Sequence, residues 1–141
     1  MNFVLDNSVV MRWYFGDGSK ADLEYAIRVL NSMKTAGALV PGIWGLEVAN
    51  VLAGAESRGL TTEARSEAFV GMLNRMDISN DGATATQALA GILQVARRYN
   101  LSSYAASYLE LAMREDLPLA TLDEDLLRAA KRAGVEQFLR E

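Results

Sequence analysis

Three acidic residues that lie far apart in the sequence are the strongest candidates for chemistry: Asp6, Glu47 and Asp123. The 141-residue chain contains no His and no Cys, which excludes thiolate zinc sites, cysteine nucleophiles and Ser-His-Asp arrangements. Carboxylate oxygens are hard ligands, so these three acids suit Mg²⁺ or Mn²⁺. Such an ion keeps several waters and favours cleavage of a phosphodiester, because it activates water and stabilises charge on phosphoryl oxygens.

Glu47 is the most informative of the three acids. It lies in a predicted helix over residues 43–55, and the positions three and four residues away are mostly apolar: Ile43, Trp44, Asn50 and Val51. No basic residue lies within one helical turn of it. Burying an ionised carboxylate without a partner costs several kcal/mol, so this position favours a functional role. The simpler alternative is a partly covered face on which Glu47 reaches water.

Asp6 and Asp123 each directly follow a predicted strand. In a parallel sheet both would lie at the same carboxyl edge, where binding sites form. Each also has a structural alternative: Asp6 can cap the first helix, and Asp123 can be a first-turn acid that the helix dipole favours. Thr121 and Glu124 additionally fit the capping-box pattern T-x-x-E.

The elements that would position these acids alternate along the chain. Strand separated by helix indicates an α/β domain with a parallel sheet covered on both faces. We expect one domain over residues 1–141, without an internal boundary. The spacing of apolar residues predicts strands at 3–5, 39–40 and 118–121 and an edge strand near Val135. It predicts helices at 9–15, 21–33, 43–55 and 83–98. Three further helices are predicted: one from a cap at Thr61 or Thr62 to residue 75, one from a cap at Ser102 or Ser103 to residue 114, and one from the acidic turn at 123–125 to residue 133.

Charge and hydropathy limit the partners that the chain can have. Its net charge of −4 lacks the overall basic character of proteins that hold nucleic acid by charge alone, so any such contact needs a local basic patch or a metal. The local basic groups are Arg97-Arg98 and the set Arg128, Lys131 and Arg132, for which solvated helix ends are the simplest interpretation. The apolar runs are too short to cross a bilayer, and we expect a cytoplasmic protein.

Three segments together resemble a known family. The sequences Val-Leu-Asp-Asn-Ser-Val at 4–9, Trp-Gly-Leu-Glu-Val-Ala-Asn at 44–50 and Leu-Ala-Thr-Leu-Asp-Glu-Asp-Leu at 119–126 resemble, in order and spacing, the motifs of PIN-domain ribonucleases, especially the VapC-type toxins of bacterial toxin–antitoxin pairs. The resemblance implies a three-layer α/β/α domain with a central parallel sheet and metal-dependent endonucleolytic cleavage of RNA. It further implies four acidic positions around Mg²⁺ or Mn²⁺, a homodimer, and inhibition by a cognate antitoxin that inserts a segment over the active groove.

One position departs from that family pattern. Where the family normally has Tyr-Asp-Ala, this chain has Tyr104-Ala105-Ala106, so the third acid is absent. Three carboxylates carry a charge of −3, which one Mg²⁺ reduces to −1 and two would turn into +1. We therefore expect at most one well-held ion and a weakened or inactive enzyme. Ala105 is consistent both with an engineered inactivating change and with a natural degenerate paralogue.

Four further residues are weaker candidates for supporting the site. Ser8 and Thr121 offer hydroxyls near the metal position, although capping or turn hydrogen bonds are simpler roles for both. Asn50, one turn after Glu47, either orients that carboxylate or only packs. Asp125 can act through a water, but residues i and i+2 of a helix point apart, so a solvated surface acid is the simpler interpretation.

The leading hypothesis is an Mg²⁺- or Mn²⁺-dependent endoribonuclease toxin, inactivated or weakened at Ala105, whose partners are RNA, an antitoxin and a second copy of the chain. The alternative is a non-catalytic PIN-fold module that sequesters an antitoxin or RNA. A phosphoryl-aspartate protein with Asp6 as nucleophile is disfavoured, because the second acid two residues on and a Lys after a later strand are both missing.

Overall fold

A computed structural model describes residues 2–140; of the expected domain over residues 1–141, Met1 and Glu141 lie outside the described part. A four-stranded parallel sheet with the order β3-β2-β1-β4 forms its centre. The helices cover both faces of this sheet, which confirms the predicted three-layer α/β/α architecture. The strands are β1 (Asn2–Leu5), β2 (Gly37–Val40), β3 (Ile78–Asn80) and β4 (Leu119–Ala120).

Helices connect and follow these strands. A π-helical turn, Ala88–Ile92, separates the fifth helix from the sixth. The helices are α1 (Asn7–Phe15), α2 (Lys20–Ser32), α3 (Trp44–Ser57), α4 (Glu63–Asn74), α5 (Thr84–Gln87), α6 (Leu93–Tyr99), α7 (Ser103–Glu115) and α8 (Glu124–Arg132). Within residues 2–140 none of these helices combines the length and the apolar character needed to cross a membrane.

The central strand β1 fixes the alignment of the sheet. Phe3, Val4 and Leu5 are fully buried, as a strand covered on both faces requires. Leu5 pairs with Ala120 of β4, and the Asp6 N–H donates to the Ala120 carbonyl at 2.9 Å. This register places the residues that follow β1 and β4 side by side at the carboxyl edge.

Side-chain caps start several of the helices, and the caps of α4 and α7 are among the residues that the sequence predicts. Ser19 accepts a hydrogen bond from the Asp22 N–H, and Ser102 accepts one from the Ala105 N–H. Of the two threonines considered for α4, Thr62 is the cap, since its hydroxyl accepts from the Arg65 N–H at 3.2 Å. Each such cap satisfies a backbone N–H that has no partner inside the helix.

The structure differs from the sequence prediction in three places. Strand β3 was not predicted, because its three residues are short, partly polar and mostly exposed. The predicted helix over residues 83–98 is interrupted, with Ala90 at φ −120° and ψ −105° inside the π-helical turn. The expected edge strand near Val135 is reduced to a single parallel bridge between Leu119 and Gln137.

An ion cluster ties the end of β3 to α7. The Arg114 guanidinium donates to Asp81 Oδ2 at 2.7 Å and to Glu110 Oε2 at 2.8 Å. Both acidic side chains are only 8% exposed and share this arginine, and Asp81 also accepts hydrogen bonds from the Ala83 N–H and the Thr84 hydroxyl. Hydrogen bonding to Arg114 holds the pKa of Asp81 below its usual range, against the opposing effect of burial.

This cluster predicts an acid-sensitive contribution to stability. Because the folded-state pKa of Asp81 is lowered, the unfolded chain takes up a proton first as the pH falls, and the stabilisation is lost below about pH 4. Asp81→Asn should therefore lower the free energy of unfolding by about 1–3 kcal/mol at pH 7, and by less at pH 3. Urea denaturation at both pH values measures the difference.

A suitable control is Asp17→Asn, which removes an ion-paired aspartate that is 65% exposed. Exposed ion pairs contribute little, so this control should change stability by less than about 1 kcal/mol. An equal loss for both variants at pH 7, or a loss for Asp81→Asn that does not shrink at pH 3, contradicts the assigned role of Asp81.

Candidate active site

Asp6 lies immediately after β1 and is 8% exposed. Two hydroxyls donate to the same carboxylate oxygen, Oδ2: Ser8 at 2.6 Å and Thr121 at 2.7 Å. Although Asp6 occupies the N-cap position of α1, its side chain makes no capping hydrogen bond, so the simple capping interpretation is wrong for this residue. Among residues 2–140 no side chain donates to the other oxygen, Oδ1, which leaves it available to a cation.

Ser8 and Thr121 join the loop after β1 to the loop after β4. The Leu122 N–H donates to the Ser8 hydroxyl at 2.9 Å, and the Asp123 N–H donates to the Thr121 hydroxyl at 3.1 Å. Thr121 therefore makes the turn hydrogen bond expected of it and also holds Asp6. Both predicted supporting hydroxyls thus contact Asp6 directly.

The surroundings of Asp6 disfavour its charge. Burial raises the pKa of the Asp6 carboxyl above its ordinary value, and repulsion from Asp123 adds to the increase. The hydrogen bonds from Ser8 and Thr121 act in the opposite direction but do not cancel the effect of burial. An ionised Asp6 is consequently destabilising until a positive charge arrives.

Glu47 is half-buried on α3 and receives a hydrogen bond that the sequence did not predict. The Tyr108 hydroxyl, on α7, donates to Glu47 Oε1 at 2.5 Å. Burial raises the pKa of Glu47, the Tyr108 hydrogen bond lowers it, and the charge of Asp6 raises it further. Tyr108 is itself about 1% exposed, and a buried tyrosine hydroxyl normally finds a partner. Sequence reasoning missed this residue, because the rule applies only once the burial of Tyr108 is known.

Asp123 is exposed and begins α8. Its Oδ1 accepts the Leu126 N–H at 3.1 Å, so Asp123 is the N-cap of α8, and the first-turn acids are Glu124 and Asp125 instead. The capping residue is Asp123 and not Thr121, which corrects the capping box expected for Thr121 and Glu124. Capping uses one oxygen only and leaves Oδ2 for another ligand.

The remaining candidates, Asn50, Asp125 and Ala105, differ in their surroundings. Asn50 is exposed, and the hydrogen-bond partner of Glu47 within residues 2–140 is Tyr108 instead. Asp125 is exposed and pairs with Arg128, as expected of a surface acid. Ala105 lies in the first turn of α7, three residues before Tyr108, so both project from the same face of the helix. Position 105 is therefore oriented toward the acids.

The donor set fits a hard cation, although it does not form a closed cage. No three acidic side chains among residues 2–140 form a ready-made metal-binding group. Electrostatic contact is pairwise, from Asp6 to Glu47 and from Asp6 to Asp123. Beside Asp6, the buried Oδ1 atom of Asn7 receives no hydrogen bond from any described residue, and sequence reasoning missed this atom. All of these atoms are oxygens, the ligands that Mg²⁺ and Mn²⁺ prefer, and Mg²⁺ usually takes only one or two carboxylates together with waters.

Comparison with known protein families finds one family model that covers most of the chain. The sequence model described as "PIN domain" matches residues 3–132, which is most of the chain and includes all three candidate acids. No curated protein sequence is significantly similar to the chain.

Solved structures share the fold. PAE2754 from Pyrobaculum aerophilum superimposes with a TM-score of 0.62 at 23% identity, over 92% of this chain and 87% of that one. VapBC2 from Rickettsia felis, solved with a DNA fragment from its promoter, gives a TM-score of 0.63 at 12% identity, over 91% and 92% of the two chains. At these identities the likeness concerns the fold.

The buried charge of Asp6 predicts that a conservative substitution stabilises the metal-free protein. Because the folded-state pKa of Asp6 is raised, its ionisation reduces stability as the pH rises above the unfolded-state value of about 4. Asp6→Asn should thus raise the melting temperature by roughly 3 °C at pH 7 in the presence of a chelator. The advantage should disappear near pH 3.5, where the carboxyl is protonated in either state. Differential scanning calorimetry measures both values.

Asp125→Asn serves as the control, since it removes one negative charge from an exposed acid. It should leave the melting temperature almost unchanged at both pH values. A lower melting temperature for Asp6→Asn than for the unmodified protein at pH 7 would mean that the Asp6 carboxylate is satisfied without a cation.

Proposed function

Because the chain belongs to the PIN domain family, whose members are generally nucleases, we propose that it is a divalent-metal-dependent endoribonuclease of the toxin type, weakened by Ala105. The observation that carries this proposal is the environment of Asp6. Its carboxylate is buried beside the charges of Glu47 and Asp123, while its side-chain partners are the neutral hydroxyls of Ser8 and Thr121. Such an arrangement is costly for a structural acid and suitable for a cation ligand.

In this proposal Asp6, Glu47 and Asp123 hold one Mg²⁺ or Mn²⁺ and are the catalytic residues. When bound, the ion supplies Lewis-acid chemistry: it acidifies a water and stabilises charge on the phosphoryl oxygens. Burial is the main cause of the raised pKa values of Asp6 and Glu47, and the ion would relieve the repulsion between acids that adds to it. Nucleic acid can then approach an acidic protein at this one edge.

The surrounding residues fix the geometry of the three acids. Ser8 and Thr121 hold Asp6 Oδ2 from one side, so that Oδ1 is the oxygen offered to the ion. Tyr108 fixes Glu47 in the same way, and the Leu126 N–H fixes Asp123. Rigid ligands keep a bound water and a phosphodiester in line, and a misplacement of about 1 Å can cost 100-fold in rate.

With alanine at position 105, the face of α7 that carries Tyr108 lacks the carboxylate that the family pattern has at this position. The alanine side chain cannot accept a proton or bind a water, so the site lacks one group to orient the nucleophile. With three carboxylates, one ion leaves a charge of −1 and a second would make the site positive. We therefore propose one ion and a reduced rate of cleavage.

An antitoxin and a second copy of the chain are the proposed protein partners, in the cytoplasm. Leu46, beside Glu47, is 74% exposed, and Tyr104, beside Ala105, is 62% exposed. Large exposed apolar side chains next to a polar site favour an amphipathic partner segment. VapBC2 from Rickettsia felis, which shares the fold, supports this choice of partner.

Ala105→Asp should increase metal-dependent cleavage of structured RNA at least tenfold, because it returns a carboxylate to the missing position. Gel-based cleavage assays with Mn²⁺ and with a chelator measure the gain. Ala105→Asn has nearly the same size without the charge, and it should give no increase. The double substitution Asp6→Asn with Ala105→Asp should abolish the gain. An Ala105→Asp protein that binds Mn²⁺ yet cuts no RNA counts against the nuclease function.

The alternative function is a binding module without turnover, which Ala105 also favours. Titration with Mn²⁺ distinguishes the binding module from the nuclease. The nuclease proposal predicts uptake of about one ion per chain by isothermal titration calorimetry, lost in Asp6→Asn and in Glu47→Gln. Asp125→Asn should bind like the unmodified protein. The binding-module function predicts no measurable uptake by any of the four proteins.

A further inference from the structure

Two basic segments that are distant in the sequence meet at one aromatic ring. Arg98 lies in the last turn of α6 and Arg132 in the last turn of α8. Their guanidinium carbons are 5.7 Å and 5.3 Å from the centroid of the Tyr99 ring, so the two cations are at most about 11 Å apart. Arg97 and Lys131 are their sequence neighbours. We call Arg97, Arg98, Lys131 and Arg132, together with Tyr99, the Tyr99 patch.

The four cations of the Tyr99 patch are exposed, and the part of the chain that the structure describes gives them no acidic partner. None of them forms a salt bridge with any residue in the described range 2–140. The nearby Arg128 differs, because it pairs with Asp125. Two positive charges without an acidic partner in the described range thus meet at one ring, on a chain whose net charge is −4.

Helix dipoles explain only part of this arrangement. A dipole favours a basic residue near the end of each helix, by about 0.3–1 kcal/mol, but it does not bring two helix ends to one ring. Placing like charges together costs free energy unless a ligand of opposite charge uses them. The Tyr99 ring offsets part of this repulsion through cation–π attraction and holds both guanidiniums in place.

We propose that the Tyr99 patch binds the phosphate backbone of the RNA strand beside the cleavage site. Two guanidiniums held in fixed positions can each contact a phosphate through two parallel hydrogen bonds. Tyr99 lies six residues before Ala105, so the chain between them allows at most about 20 Å between their Cα atoms. This proposal deepens the nuclease function and rests on it for the identity of the ligand as RNA.

Binding measured without cleavage tests the patch. The probe is a fluorescein-labelled single-stranded RNA of about twelve nucleotides, titrated in a chelator and followed by fluorescence anisotropy at several salt concentrations. Arg98→Gln with Arg132→Gln should weaken binding roughly 20-fold at 0.1 M salt and reduce the salt slope by about 1.4, because two phosphate contacts are lost. Arg65→Gln with Arg75→Gln, two exposed arginines of α4 and its C-cap, removes the same charge and should change neither quantity appreciably.

Substitutions of the ring itself test its role. Tyr99→Phe keeps the ring and should bind RNA normally, whereas Tyr99→Leu should weaken binding several-fold because both guanidiniums lose their support. Equal effects of the patch and control pairs, or no RNA binding by the unmodified protein, overturn the proposal. Tighter binding of a polyglutamate peptide of equal length also overturns it and assigns the patch to an acidic protein segment. Failure of the nuclease function is seen separately, as absence of cleavage by Ala105→Asp while RNA binding persists.

Discussion

Asp6 places a carboxyl group at the buried end of the central strand, where loss of water opposes its charge and two other acids repel it. Two hydroxyls that converge on Oδ2 make this position tolerable without neutralising it. Those hydroxyls come from Ser8 and Thr121, so the same hydrogen bonds that hold Asp6 also join the ends of two neighbouring strands. The alignment of the sheet and the orientation of the acid therefore depend on each other.

The three acids differ in what holds them, and the differences follow from burial. Asp6 is buried and bound by hydroxyls, Glu47 is half-buried and bound by the Tyr108 phenol, and Asp123 is exposed and caps α8. Each is fixed through one oxygen, which leaves the second oxygen of each carboxylate for another ligand. In the proposed function, a metal-free site of this kind would be organised but electrostatically unfavourable, and a bound cation would complete it. The alanine at position 105 makes the face of α7 beside these acids less polar.

An acidic protein that acts on a polyanion needs its positive charge in the right places. A divalent ion at the carboxyl edge and the Tyr99 patch at the ends of α6 and α8 would divide this task. The first would act on the phosphate that reacts, and the second on phosphates farther along the strand. Elsewhere basic side chains are used structurally, as in Arg114, whose guanidinium holds two acids that are each 8% exposed.

The sequence alone determined the alternation of strands and helices and the parallel sheet, because apolar periodicity and helix caps are local features. It predicted Asp6, Glu47 and Asp123 as site residues, and the family resemblance predicted that position 105 lacks an acid. It did not predict β3, whose three residues carry almost no hydrophobic pattern, nor the π-helical turn inside the helix expected over residues 83–98. Only the tertiary structure brought the Tyr108 hydroxyl to Glu47 and two arginines to the Tyr99 ring. These contacts join residues of different elements. They depend on how the helices pack on the sheet, and the spacing of residues within one helix does not encode that packing.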